Sequence, residues 1–266
     1  TGKSGAATSG KSGASGAAAS GKSGAASSGS SGATSGKSGA SGGRDGGAES
    51  GKVVGDAGGP AWPAGRNNGA CRPKFGSGVN VAWFSFARDV PNPPITKFTD
   101  LYKNSVAVGG RVIRWWYHTN GTVTPGYDAN GMAKPISEAE IADVRKILDA
   151  AVAEGAVVDI SIWSHNMLDA NAGTAITNNK ALLEVDENRR AYIDSVLKPL
   201  VTALKGHKGI YAWEIFNEAE GMTEEHGWTL EGKRTKQKFI TKTVNWFADA
   251  IHEADPDVPV TNGAWT

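Results

Sequence analysis

A single cysteine, Cys71, stands in 266 residues, so no intrachain disulfide can form, and the residue reads as an incidental thiol. No run of about 18 apolar residues occurs, so no membrane span is expected. No secretory leader is recognisable, but the chain begins at Thr1, which makes that absence uninformative. Excess charge is also lacking. The 28 Lys and Arg nearly balance 27 Asp and Glu, and a net charge of +1 argues against a dedicated nucleic-acid binder. Large apolar residues are missing from the N-terminal region, the first being Val53. A segment without them cannot bury enough apolar area to offset the entropy of ordering it. Residues 1–70 are therefore expected to be a disordered low-complexity linker, and 71–266 the folded domain.

The linker repeats Gly-Lys-Ser-Gly-Ala at 2–6, 10–14, 21–25 and 36–40. The spacings are irregular, which excludes a solenoid. Gly5–Ser12 and Gly16–Ser23 formally match a phosphate-binding loop. That loop needs an apolar strand before it and a helix after it, and neither flank is present. The linker has basic residues such as Lys3, Lys11 and Lys22 but no aromatic before Trp62, so the basic repeats have none on which bases could stack. A Gly/Ser/Ala-rich coil of this kind is a flexible spacer.

From residue 78 onward the pattern alternates between apolar strand-like runs and amphipathic helices. Strands are expected at 78–86, 110–117, 156–163 and 209–216, with a fifth beginning at 258–263. The near-continuous apolarity of these runs suits parallel strands covered on both faces. Ser137-Glu138-Ala139-Glu140 is a capping box that opens a helix with Ile141, Val144, Leu148, Ala151 and Val152 as its core face. Further helices are expected near 95–107, 187–205 (bent at Pro199) and 236–253. No Gly-rich phosphate turn follows the first strand. Polar and aromatic residues instead gather past the strand ends: Arg88-Asp89, His118-Thr119-Asn120, His165-Asn166 and Asn217-Glu218. A ring of such loops indicates an α/β fold of the (β/α)8 TIM-barrel type.

Glu218, at the end of the run Ile210–Asn217, is the leading catalytic candidate. A rim carboxyl among tryptophans can be held protonated by desolvation and act as a general acid. Two-residue alternation places Glu214 and Phe216 on the same face as Glu218. Arg114 faces inward from the second strand, where it could grip a catalytic carboxylate or form a buried pair with Glu214. His118 and His165 are candidate substrate contacts, with ordinary loop roles as the alternative. One cysteine and no tight His/Asp cluster argue against a metal site. Nine tryptophans are present, of which Trp83, Trp116, Trp163, Trp228 and Trp265 fall at or beyond strand ends. There an indole face could take the C–H face of a sugar ring. Trp213 and Trp246 sit within elements and read as core.

Trp213-Glu214-Ile215-Phe216-Asn217-Glu218 resembles the fourth-strand motif of the retaining glycoside hydrolases with β/α barrels, and most closely family 5, the cellulase and β-mannanase group. Val112-Ile113-Arg114-Trp115-Trp116 resembles that family's second-strand arginine. The resemblance covers roughly 78–266. It implies cleavage of a β-1,4-linked mannan or glucan, Glu218 as acid/base, Asn217 on the sugar 2-hydroxyl and Arg114 in support of the nucleophile, while Trp116, His118, Trp163, His165 and Trp228 are expected around the substrate from their positions at or beyond strand ends. No cofactor is implied. An extracellular or surface-attached enzyme, monomeric when complete, would fit. Ala219 stands where the family usually has proline.

Length is the other departure. A β/α barrel needs about 250 residues, and the family's nucleophilic glutamate ends the seventh strand. Retention requires two carboxyl groups about 5–5.5 Å apart. Glu220, Glu224, Glu225, Asp89, Asp128 and Asp169 have no positional claim to be the second. The chain is therefore expected to be a truncated barrel of about five β/α units, inactive by itself. Two other readings stay open: a non-catalytic carbohydrate-binding barrel, and a half-barrel completed by a second chain.

Overall fold

A computed structural model describes residues 76–264. The expected linker, both phosphate-loop matches, Cys71 and Trp265 lie outside those residues. Five strands form one sheet in the order β1 (Gly78–Asn80), β2 (Val112–Thr119), β3 (Val157–Ser164), β4 (Ile210–Asn217) and β5 (Val260–Thr261). All four neighbouring pairs are parallel. A doubly wound sheet reverses strand order at a switch point. This one runs through without reversal, as successive barrel units do.

The helices between the strands are α1 (Ile95–Ala107), α2 (Glu138–Ala153), α3 (Ala175–Glu184), α4 (Asp186–Tyr192), α5 (Lys198–Ala203) and α6 (Gln237–Ala254). The capping box forms, with the Glu140 amide donating to the Ser137 hydroxyl at 3.1 Å. The core face of α2 is rotated from the expected one. Ile147 is fully buried, while Val152 is 41 % exposed. Helix α3 was not anticipated, because its apolar residues are interrupted by Thr177, Asn178, Asn179 and Lys180. Asn179 is nonetheless completely buried. Its amide donates to the carbonyls of Asn120 and Met167, tying the loops after β2 and β3 together.

The expected bend at Pro199 appears as a π-helical turn, Ile193–Leu197, joining α4 to α5. Pro199 has no amide hydrogen for the Ser195 carbonyl four residues back. That carbonyl instead accepts the amide of Ile136 at 2.9 Å. Losing one helical bond thus secures the end of the long β2–α2 loop.

The first strand is much shorter than the expected 78–86. It stops at Asn80, and the chain from Phe84 turns around Asp89. Asp89 accepts the amides of Phe84 and Ser85 and the indole N–H of Trp115. Those bonds satisfy backbone donors that a longer ladder would otherwise have used. The core lies between sheet and helices, with Trp115, Ile147, Leu148, Trp163, Tyr192, Trp213, Phe216 and Phe247 all fully buried. Trp213 is core as expected, whereas Trp246 is half-buried on α6, about 5.1 Å from each of Arg189, Arg190 and Lys242.

Candidate active site

The C-terminal ends of β3 and β4 meet at Glu218. The residue itself adopts left-handed backbone angles, φ 51° and ψ 52°. Such a conformation costs a non-glycine residue roughly 1–2 kcal/mol, and here it turns the chain sharply off β4. Its carboxylate keeps 36 % side-chain exposure and lies 3.3 Å from His165 Nδ1. His165 follows β3 directly. Its other ring nitrogen lies 3.8 Å from Asp169, and its ring meets Trp228 edge-on at 5.6 Å. Trp228 folds back over Gly221, where an added Cβ would sit 2.7 Å from the indole. Only glycine permits that approach, and Trp228 remains 41 % exposed beside the acid. The fold thus brings the sequence candidates Glu218, His165 and Trp228 to one rim.

Beneath the rim lies an ionic layer. The guanidinium of Arg114 on β2 is held by both oxygens of Glu214 on β4, at 2.6 and 2.5 Å. Of the two partners considered for Arg114, Glu214 is the one it has. The same guanidinium donates to Asn217 Oδ1 at 2.8 Å and to Asn80 Oδ1 at 3.0 Å. It also lies 5.3 Å from the Trp116 ring, which in turn meets Trp83 edge-on at 5.1 Å. Asn217 completes its polar contacts by donating to the Ser164 hydroxyl.

Two-residue alternation along β4 fails over its last residues. Phe216, expected beside Glu214 on the inner face, instead stacks on Phe247 of α6 at 6.4 Å. Glu214 and Asn217, three residues apart, both reach Arg114. An odd spacing can share a partner only where the strand departs from regular pleating.

Two expected substrate contacts prove inaccessible. Trp163 has no exposed surface and packs between His118 and Tyr192. His118 is equally buried, with Thr124 at 2.8 Å and the Tyr192 hydroxyl at 3.0 Å on its two nitrogens. Burial holds its pKa well below the usual histidine range, so the ring is neutral. Both belong to the packing behind the rim. The loop acids Asp89 and Asp128 are likewise occupied: Asp89 as above, and Asp128 accepting the amides of Asn130 and Met132. No group of three or more metal-ligating side chains occurs among the described residues. Among them, no helix is long and apolar enough to cross a membrane.

Asn80 and Asp159 were missed. Each is a polar residue inside an otherwise apolar strand, which is the signal that could have found them. Asp159 on β3 pairs in register with Arg114 on one side and Ala212 on the other. Its Oδ1 is buried with no hydrogen-bond partner. Burial, reinforced by the charge of Glu214 and opposed by Arg114, pushes its pKa up to about 7. An ordinary aspartate titrates near 3.9, so the folded state favours the protonated acid. That stabilisation is full below pH 4 and is lost as pH rises through about 7. Asp159→Asn is therefore expected to unfold at the same denaturant concentration as the parent at pH 4. At pH 8 it should be the more stable by roughly 2–4 kcal/mol. Equal stability at both pH values would sink that expectation.

A family profile for cellulase (glycosyl hydrolase family 5) matches residues 76–266. The chain belongs to glycosyl hydrolase family 5. Among curated family 5 relatives, the mannan endo-1,4-beta-mannosidase of Mytilus edulis is 32 % identical over 216 residues, 72 % of this chain and 56 % of that protein. The corresponding protein of Cryptopygus antarcticus is 31 % identical over 72 % of this chain and 54 % of its own length. The chain thus spans about half the length of the curated relatives it matches. The crystal structure of the mussel β-mannanase superposes with a TM-score of 0.65 at 30 % identity, covering 72 % of this chain and 59 % of that one. The endo-1,4-beta-mannanase of Eisenia fetida gives 0.65 at 28 % identity, covering 72 % and 58 %. These full barrels match the five-stranded sheet, as the β/α alternation anticipated.

Proposed function

We propose that residues 76–266 form the acid/base side of a retaining glycoside hydrolase acting on β-1,4-linked mannan. The observation that carries the reading is the end of β4. There Asn217 is fixed by Arg114, and Glu218 stands half-exposed next to His165 and the exposed face of Trp228. In this reading Glu218 protonates the departing glycosidic oxygen and later draws a proton from water. Asn217 binds a sugar hydroxyl next to the cleaved bond. Arg114 acts beneath Asn217, Trp228 offers aromatic surface, and His165 lies within reach of the Glu218 carboxylate; Trp116, only 9 % exposed, packs against Arg114 and was expected to touch substrate. Retention also needs a nucleophilic carboxylate about 5–5.5 Å from Glu218 across the glycosidic bond. Glu214 is buried against Arg114 and is no candidate. The nucleophile is therefore assigned to a segment outside the described residues. Mannan is preferred to glucan because both curated relatives are named for mannan. Polysaccharide as substrate agrees with an enzyme that works outside the cell.

The acid/base role can be tested without turnover. A bromoacetylated β-mannosylamine places its electrophilic carbon where the departing oxygen would lie. Glu218 is expected to displace bromide and become an ester, located by peptide mass spectrometry and suppressed by mannohexaose. Esterification at another carboxylate, or none despite measurable mannohexaose binding, would reject the assignment. The latter outcome would favour a non-catalytic carbohydrate-binding barrel.

A further inference from the structure

Arg114 has five N–H donors, and four are committed. Nε–H and one Nη2–H go to the two oxygens of Glu214, the other Nη2–H to Asn217, and one Nη1–H to Asn80. A single Nη1–H is left for any other acceptor. The partner receiving most of this arginine is Glu214, on the same strand as the candidate acid. Glu214 is nearly inaccessible, with 4 % side-chain exposure against 24 % for Arg114. Its Oε1 sits where the side chain of residue 263 would be: a Cβ on Gly263 would lie 2.3 Å from it and 2.8 Å from the Phe216 carbonyl. The carboxylate therefore occupies a space that only glycine leaves open.

The consequence falls on Asn217. A side-chain amide can present either oxygen or NH2 to a neighbour, but a guanidinium only donates. Arg114 thus compels the Asn217 oxygen to face it. The NH2 is left for Ser164 on one side and the cleft on the other. A guanidinium not gripped at two points would be free to rotate, and the amide could turn over.

We propose that Glu214 is a positioning residue: through Arg114 it sets the orientation of the Asn217 amide, so that an N–H points to the substrate hydroxyl beside Glu218. This rests on the hydrolase reading above for the identity of the hydroxyl, but the amide orientation can be read without any sugar.

The test uses the full 266-residue chain carrying 15N on asparagine. The Asn217 side-chain pair is assigned by its loss in Asn217→Ser. The Asn179 pair, clamped between Asn120 and Met167, reports that the fold is intact. In Glu214→Gln, the Asn217 NH2 resonances are expected to move to free-amide positions while those of Asn179 stay. Mannohexaose affinity should fall about tenfold, the value of one lost hydrogen bond to a charge-held partner. If Glu214→Gln loses the Asn179 pair, Glu214→Asp decides, since it keeps both charges and draws the carboxylate back from Arg114 by one methylene. An unchanged Asn217 pair in whichever variant retains the Asn179 pair overturns the proposal. Mannohexaose added to the parent chain tests the underlying reading separately. Failure to perturb Asn217, with the effect of Glu214 intact, would remove the substrate assignment and leave the positioning.

Discussion

Glu218→Gln is expected to lower mannan turnover by roughly 10²–10⁴-fold, the range of general acid–base catalysis. The measurement needs both carboxylates, so it is best made in a barrel completed by joining residues 76–266 to the C-terminal portion of the mussel enzyme. Glutamine keeps the shape and the contact with His165 but cannot give a proton to the departing oxygen. The loss should therefore depend on the leaving group. An aryl mannoside whose phenol leaves without protonation should form the glycosyl–enzyme intermediate at nearly the parent rate, with the defect confined to its hydrolysis. A uniform loss across leaving groups would mean that Glu218 binds and does not protonate. A further check uses the 266-residue chain alone, which is expected to show no hydrolysis. Turnover that Glu218→Gln abolishes would put the nucleophile within these residues and contradict the assignment made above.

Arg114→Met should produce the largest loss of stability. It leaves Glu214, 3 % exposed, as an unpaired buried carboxylate, and breaking one side of a buried pair costs about 3–5 kcal/mol. For a domain of this size that lowers the melting temperature on the order of 10 °C. The double substitution Arg114→Met with Glu214→Met should recover most of it, because removing both charges also removes the desolvation penalty. A single substitution that melts within a degree or two of the parent would show that solvent screens the pair. The two variants also separate stability from function, since the double variant still lacks the donor that orients Asn217.

The expectations that succeeded were local. Helix α2 begins where Ser137 can take the Glu140 amide, and α1 occupies the residues foreseen for it. Those that failed needed knowledge of neighbours. His118, Trp163 and His165 stand at the ends of β2 and β3, while Trp228 lies in the loop beyond β4. The first two are buried against Tyr192 of α4, and His165 and Trp228 meet beside Glu218, a division that the local sequence pattern does not record. Helix α3 was hidden because a buried asparagine reads as a surface residue until its carbonyl partners on two other loops are known. The shortness of β1 followed from Asp89, whose three donors come from a turn and from a tryptophan on the next strand.

By itself, the sequence determined that the folded part is an alternating parallel α/β unit, that Glu218 stands at the end of the fourth strand, and that the motif is that of family 5. Apolar runs of strand and helix length leave few other ways to bury their surface, and the Asn217-Glu218 pair is contiguous in the chain. Only the tertiary structure decided which side chains surround the acid and what Arg114 grips. Glu214 and Arg114 are 100 residues apart in sequence, and a charge in the low-dielectric interior takes whichever opposite charge the packing brings within hydrogen-bonding distance.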